Sequence, residues 1–303
     1  MRVVDKPRHR AVDVGGVEVF YREAGTRDKP CVLLLHGFPS SSHTFRDVLS
    51  PLAEVSWVVA PDLPGFGFSS APGVDEYEYT FANLADTIEA FLEQLGVDEF
   101  FVYLHDFGAP VGYHLATRRP ERILGLIVQN GNAHEAGLGS DWDTAKAFWA
   151  DPSEANRAAL PEWLNFEGTR YQYLGGLSDR LQLLQPPESW HLDWDRLSRP
   201  GIIDAQFRLF CDYATHVARF DDLAAYHAQH QPPALLLWGR HDPFFDLPEV
   251  LAYSQALDRL EIHIYDAGHL LLETHAPECA ALMRTFIADV LAERAGGVPK
   301  DRR

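Results

Sequence analysis

Cysteine is scarce in this 303-residue chain: Cys31, Cys211 and Cys279 are far apart and odd in number. That excludes a small disulfide scaffold, and no CxxC or Cys/His spacing suggests a zinc site. Free thiols in a reducing compartment are expected. Positive charge is also short. Lys and Arg number 26 against 44 Asp and Glu, a formal net charge of −18. Such a balance excludes nucleic acid and anionic membrane surfaces as partners. No apolar run approaches the roughly 20 residues needed to span a bilayer, and residues 1–10 are polar, without the apolar segment of a secretion signal. A cytoplasmic location is expected. Internal repeats are absent.

What is present is ample material for a core, with 46% apolar residues. Val12–Glu23 reads as two short strands joined at Gly15-Gly16. Cys31–Leu35, Trp57–Ala60, Phe100–Leu104, Ile123–Val128, Ala234–Trp238 and Glu261–Tyr265 are short apolar runs of the kind found in buried parallel sheets. Between the second and third of these runs, Phe81, Leu84, Ile88, Phe91, Leu92 and Leu95 mark one face of a helix. Cys279–Leu291 reads as a terminal helix. Strands alternating with helices predict an α/β fold with a doubly wound, mainly parallel sheet.

The alternation breaks between about Gly131 and Gln231. That stretch holds five of the seven tryptophans and reads as helices over Asp143–Ala150, Pro152–Leu160 and Asp204–His230. The expected organisation is a core from 1–132 and 232–293, a helical cap over 133–231 and a disordered tail over 294–303. A cap would cover the sheet's C-terminal edge, where ligands of open α/β sheets bind. Its aromatic content favours an apolar pocket.

The chemistry concentrates at strand ends. An apolar strand runs into His105-Asp106-Phe107-Gly108 and a helical pattern follows at once. This is the strand–turn–helix shape of a nucleophile elbow, with Asp where Ser would be expected. A carboxylate needs no base to attack a saturated carbon, and the resulting ester must then be cleaved by water. Trp238-Gly-Arg-His-Asp242 places a carboxylate beyond another strand, with Asp246 a weaker neighbour. Tyr265-Asp-Ala-Gly-His269 places a histidine beyond the last. The loop Gln129-Asn-Gly-Asn132 offers no carboxylate. One strand-end His or Asp among 14 histidines and 44 acids is usually structural; the ordered set of three is not. Leu35-His-Gly-Phe-Pro39 lets the N–H of Phe38 turn inward, and the N–H of Phe107 supplies a second donor of an oxyanion hole. His36 and Asp62-Leu-Pro-Gly-Phe-Gly67 read as structural.

These motifs, with Gly239-Arg-His-Asp-Pro and Gly268-His269, resemble the α/β-hydrolase superfamily over roughly residues 12–292. The resemblance is to the branch of epoxide hydrolases and haloalkane dehalogenases, which use an aspartate nucleophile. It implies Asp106 as nucleophile, Asp242 as acid and His269 as base. In haloalkane dehalogenases the halide donors typically include an Asn or Trp after the His-Gly pair and a Trp after the nucleophile. Phe38 and Phe107 stand here. Fluoroacetate dehalogenases typically carry Arg after the nucleophile, which Phe107 also lacks. Epoxide hydrolases polarise the ring oxygen with cap tyrosines. Tyr213, 29 residues before Asp242, lies where one is expected by resemblance. Tyr173 or Tyr171 is the candidate for a second, and positions two apart on a helix do not share a face.

The expected activity is conversion of a small apolar epoxide, with ring-bearing molecules favoured, to a diol, with water as co-substrate and no metal or organic cofactor. The alternatives are a haloalkane or haloacid dehalogenase, a lyase or ring-closing enzyme, and a non-catalytic binding protein on the same fold. A binder would not need all three strand-end residues. Monomer and homodimer are both compatible with the sequence.

Overall fold

The structure, a computed structural model, describes residues 6–139 and 142–296. Eight strands form one sheet among the described residues. They are β1 (Arg8–Val14), β2 (Val17–Ala24), β3 (Cys31–Leu35), β4 (Trp57–Pro61), β5 (Phe100–His105), β6 (Ile123–Gln129), β7 (Ala234–Gly239) and β8 (Leu260–Tyr265). Their order is β1-β2-β4-β3-β5-β6-β7-β8. β1 and β2 pair antiparallel with each other, as do β2 and β4, and the remaining pairs are parallel. Gly15 and Gly16, at φ +62° and +92°, make the hairpin between β1 and β2, a conformation that only glycine adopts cheaply in succession.

Every residue of β3, β4, β5, β6 and β7 is buried, because helices cover both faces. On one face α1 (Arg46–Leu52) and α12 (Leu272–Arg294) bury Val48, Leu49, Met283 and Ile287 against the sheet. The other face is covered by α2 (Phe81–Leu95), α3 (Gly108–Arg118), α10 (Phe220–His230) and α11 (Pro248–Ala256), through Phe81, Val111, Leu223 and Tyr253 among others. The six apolar positions expected for α2 are all buried.

Between β6 and β7 the chain is helical: α4 (Asp143–Ala150), α5 (Glu154–Ala159), α6 (Phe166–Leu174), α7 (Asp179–Gln182), α8 (Pro187–Leu197), α9 (Ile202–Ala218) and α10. The first two expected helices lie at α4 and α5, the latter capped by Ser153, which accepts from the N–H of Asn156. The long helix expected over Asp204–His230 is instead two. Arg219, at φ −96° and ψ 3°, breaks it, and the turn lets α10 bury Leu223 and Tyr226. Helices α6, α7 and α8 have no counterpart in the sequence reading. In α6 a glycine, Gly168, interrupts the pattern, and α8 opens on Pro186-Pro187, where proline at the first helical position starts a helix rather than ending one. The terminal helix is longer than Cys279–Leu291. It kinks at His275, and Pro277 follows within the next turn. Arg294 belongs to this helix and pairs with Glu99 at 2.5 Å, so the tail does not begin there; residues 297–303 lie outside the described residues. No helix among the described residues is long and apolar enough to cross a membrane.

Candidate active site

Parallel pairing brings the C-terminal ends of β5, β6, β7 and β8 to one edge of the sheet. Asp106 sits on the turn from β5 into α3 at φ +47°, a left-handed conformation rarely tolerated by a side-chain-bearing residue outside functional turns. Two glycines make the turn fit. A Cβ on Gly37 would stand 2.3 Å from the Asp106 carboxylate, and one on Gly108 would stand 2.5 Å from the carbonyl oxygen of Leu35.

The Phe38 N–H donates to Asp106 Oδ1 at 2.6 Å, and the Phe107 N–H lies near enough to favour the ionised carboxylate. The two expected backbone donors therefore converge on Asp106. Burial raises its carboxyl from the ordinary 3.8 to about 6; His269 and the Phe107 and Phe38 N–H groups pull the other way, while Asp242 adds to the rise.

His269 Nδ1 lies 2.8 Å from Asp242 Oδ2, with both side chains fully buried. Asp242 Oδ1 accepts from the N–H of Phe244 at 2.7 Å and of Phe245 at 3.3 Å. A carboxylate at Nδ1 makes that nitrogen the N–H and leaves Nε2 with the lone pair; Nε2 makes no hydrogen bond. Burial disfavours the charged ring, but the Asp242 and Asp106 carboxylates outweigh it and hold His269 above its ordinary pKa. The rings of His105, Phe244 and Phe245 pack around the imidazole at 4.7, 5.3 and 5.7 Å. The Asp246 carboxylate lies beside Gly139, where a Cβ would stand 2.1 Å from it. His36 is a strut: Nδ1 bonds the Gly37 carbonyl and Nε2 accepts from the Leu63 N–H, both at 3.0 Å. Asp62 likewise accepts from the backbone of Ser42 and Phe68, each at 2.7 Å.

Tyr213, in α9, is fully buried. Its ring lies 5.8 Å from Phe107 and 4.9 Å from Trp142. Its hydroxyl donates to Asn132 Oδ1. Burial, then the charges of Asp106, Glu249 and Asp242, hold the phenol far above its ordinary pKa, so it keeps its proton. Tyr173 is directed elsewhere. Its hydroxyl donates to Asp193, and its ring packs in a separate cluster with Trp190 and Leu270. Tyr171 is 49% exposed and meets Phe244 edge-on at 6.1 Å.

Sequence reasoning passed over the residues at the end of β6 because they carry no charge. Asn130 accepts the Asp106 N–H at its carbonyl, 3.2 Å. Gln129 Nε2 donates to the His269 carbonyl at 2.9 Å. Asn132 Nδ2 is buried and has no hydrogen-bond partner. Strand-end position, the criterion that singled out Asp106, would have found all three. Among the described residues, no group of three His, Cys, Asp or Glu side chains is placed to hold a metal ion.

The fold and this strand-end arrangement define the chain as an α/β hydrolase. It belongs to the alpha/beta hydrolase fold family, whose sequence pattern matches residues 30–276. Shorter stretches of it are similar to haloalkane dehalogenases and epoxide hydrolases. An uncharacterised hydrolase of Saccharomyces cerevisiae is 35% identical over 286 residues, 93% of this chain and 97% of that protein. A haloalkane dehalogenase of Bradyrhizobium diazoefficiens is 41% identical over 117 residues, 39% of this chain and 37% of that one. A crystallised haloalkane dehalogenase loop variant from Bradyrhizobium elkanii shares the fold, with a TM-score of 0.72 at 22% identity over 96% of this chain and 99% of the other.

Proposed function

We propose that this hydrolase works through an ester on Asp106 and that its substrate is a small apolar epoxide. The observation that carries the first half is the 2.6 Å bond from the Phe38 N–H to Asp106 Oδ1. In an acyl-transfer site the oxyanion donors aim at the carbonyl that is attacked. Here they aim at the side chain of the residue at the elbow, so the acyl group to be hydrolysed is its own. Oδ1 rests in the hole and Oδ2 is the attacking atom.

In the first step Asp106 Oδ2 bonds the ring carbon, the carbon–oxygen bond of the epoxide breaks and the departing oxygen takes the proton of Tyr213. Substrate must compete with Asn132 Oδ1 for that proton. The buried Nδ2 of Asn132, lacking a partner, is the second donor beside it, in the role expected of Tyr173 or Tyr171. In the second step His269 Nε2 takes a proton from water and the hydroxide attacks Asp106 Cγ. The negative charge moves onto Oδ1, held by Phe38 and Phe107. Collapse expels the diol oxygen, which takes the His269 proton. The proton left on the Asp106 carboxyl returns to the Tyr213 phenolate. Helices α4 to α9 serve as the cap, shorter than the expected 133–231 because α10 packs on the sheet, and Phe38, Phe107, Trp142 and Trp163 supply its apolar wall. No metal or organic cofactor enters the scheme.

Carbon–halogen cleavage is the second reading, favoured by the 41% identity to a haloalkane dehalogenase over 117 residues. Against it, Phe38 and Phe107 carry no side-chain N–H, and Trp142 and Trp149 spend theirs on the carbonyls of Phe244 and Phe210 at 2.6 and 3.1 Å.

A single turnover in H2(18)O with an aryl or alkyl epoxide tests the scheme. Label should enter the Asp106 carboxyl first and reach the diol only in later turnovers. Label in the diol at the first turnover means direct attack by water and removes Asp106 as nucleophile. Halide release without diol formation, on a matched panel, selects the second reading.

A further inference from the structure

The two edges of the sheet are built differently. Edge strand β1, Arg-His-Arg-Ala-Val-Asp-Val, exposes Arg8, Arg10 and Asp13, charges of the kind that discourage strand addition. The other edge is β8, Leu-Glu-Ile-His-Ile-Tyr. It has no Lys, no Pro and an unbroken register against β7, and it exposes Ile262 by 36% and Ile264 by 52%. Among the described residues no further strand adds to it.

Its backbone direction follows from two bonds. The carbonyls of Arg259 and Tyr265 accept from Ala234 and Arg240, so alternate residues 259, 261, 263 and 265 turn their peptide groups to β7. Leu260, Ile262 and Ile264 therefore turn theirs outward. Leu260 packs against the core cluster that holds Val250 and Tyr253 of α11, whereas Tyr265 meets His275 of α12 at 5.0 Å. Ile262 and Ile264 thus lie on the α11 face, where Leu247 and Leu251 are 42% and 61% exposed.

We infer that β8 is a homodimer edge, pairing antiparallel with β8 of a second copy about a twofold axis through Ile262. The strand is self-complementary in that register. Ile262 meets Ile262, and Leu260 meets Ile264, at the outward-turned, hydrogen-bonded positions. Glu261 meets His263 of the second copy at the non-hydrogen-bonded positions, where opposed Cα atoms come within about 4.5 Å. Glu261 and His263 already lie 2.7 Å apart within the chain, so each carboxylate gains a second imidazole. Shifting the axis to His263 keeps Ile262 against Ile264 but sets His263 against itself and Glu261 against Tyr265, losing the carboxylate–imidazole pairing. A six-residue strand falls short of the ~800 Å² per partner of a stable interface; Leu247 and Leu251, on the same face, widen it. The result is one continuous sheet through both copies, with both site edges left open to substrate.

Sedimentation velocity over a nanomolar to high-micromolar series reads the outcome. The wild-type chain should sediment at twice the monomer mass at micromolar concentration. Ile262→Lys with Ile264→Lys should raise the dimer dissociation constant at least about tenfold, with an unchanged circular dichroism spectrum. Should that variant unfold, Glu261→Lys, a surface change, carries the test: it should weaken the dimer, and adding His263→Glu, which reverses both members of the pair, should restore it. A wild-type chain that stays monomeric throughout overturns the proposal. So does a dimer indifferent to these changes, since it uses another face.

Discussion

Asn130 grips the backbone of Gly239 at both polar atoms: its Oδ1 accepts from the Gly239 N–H at 2.9 Å and its Nδ2 donates to the Gly239 carbonyl at 3.1 Å. Its own carbonyl meanwhile holds the Asp106 N–H at 3.2 Å. One neutral side chain, at φ +39°, thus fixes the end of β5, which carries Asp106, to the end of β7, which leads to Asp242. Asn tolerates the left-handed region better than most residues with a Cβ.

Asn130→Ala would leave the buried Gly239 N–H without a partner, while the Gly239 carbonyl keeps the Asp242 N–H at 3.3 Å. An orphaned buried group costs about 1–3 kcal/mol. The expected loss is roughly 1–3 kcal/mol, measured as a lower urea midpoint at unchanged slope. Catalysis should fall more than the fraction folded, because the strand ends lose their common anchor. A variant as stable and as active as wild type would remove Asn130 from this role.

The pH profile follows from the buried carboxyl. In the proposed scheme Asp106 attacks only when ionised, and its pKa is raised to about 6, so kcat/KM should climb with pH through an inflection near 6. His269 is needed neutral in the second step, and its pKa is also raised, in part by the Asp106 charge. Esterification abolishes that charge. The base is therefore released for its task by the first step, and the hydrolytic step should run at lower pH than free His269 would allow. Pre-steady-state mixing across pH resolves the two limbs; a flat profile between pH 5 and 8 would be incompatible with these roles.

The same shift has a consequence for stability. Asp106 holds its proton up to about pH 6 when folded, against an ordinary carboxyl value of 3.8. Between these values the native state binds the proton that the unfolded chain has lost, so stability falls as pH rises across that window and the cost persists above it. Asp106→Asn, which carries no charge, should therefore raise stability by roughly 2–3 kcal/mol at neutral pH, with the gain vanishing below about pH 4. Paired denaturation curves at acid and neutral pH measure this. A destabilised variant at neutral pH would mean that the hydrogen bonds from Phe38 and Phe107 outweigh the desolvation.

His269→Gln should leave alkylation intact and stop the ester's hydrolysis. Loss of a general base costs about 10²–10⁴-fold, so the covalent form should accumulate as an added substrate mass on the Asp106 peptide. Asp106→Asn in the same background should abolish the adduct. An adduct on any other residue would displace Asp106.

The alternation of apolar runs predicts the sheet, and the strand-end rule points to Asp106, Asp242 and His269, which the fold brings to one edge of the sheet, because both depend on local patterns that survive without tertiary context. Less was legible between β6 and β7. Helices α6 and α8 take their places from burial of Tyr173, Trp190 and Leu197, which no local periodicity announces. Tyr173 and Tyr171 were singled out by residue type, yet which way a hydroxyl turns is decided by Asp193, a residue from another helix. Asn130 and Asn132 escaped notice for the opposite reason: their work is hydrogen bonding across strands, visible only once the strands are side by side.

Tyr213 offers the sharpest separation of the two chemistries. Its ring is wedged against Phe81, Phe107 and Trp142, and Tyr213→Phe keeps that packing while deleting one hydroxyl. The change leaves Asn132 Oδ1 without a donor, a cost of about 1–3 kcal/mol that the fold can bear. An epoxide oxygen leaves as an alkoxide and needs a proton in the transition state, so ring opening should slow by about 10²–10⁴-fold. A halide leaves as a stable anion and needs no proton, so alkylation by a haloalkane should change by much less. Stopped-flow alkylation of the His269→Gln background with a matched epoxide and haloalkane isolates this step from hydrolysis. Equal losses for both substrates would make Tyr213 a packing residue and shift the proton donation to Asn132 Nδ2; Asn132→Ala, measured in the same way, would then carry the larger loss with the epoxide.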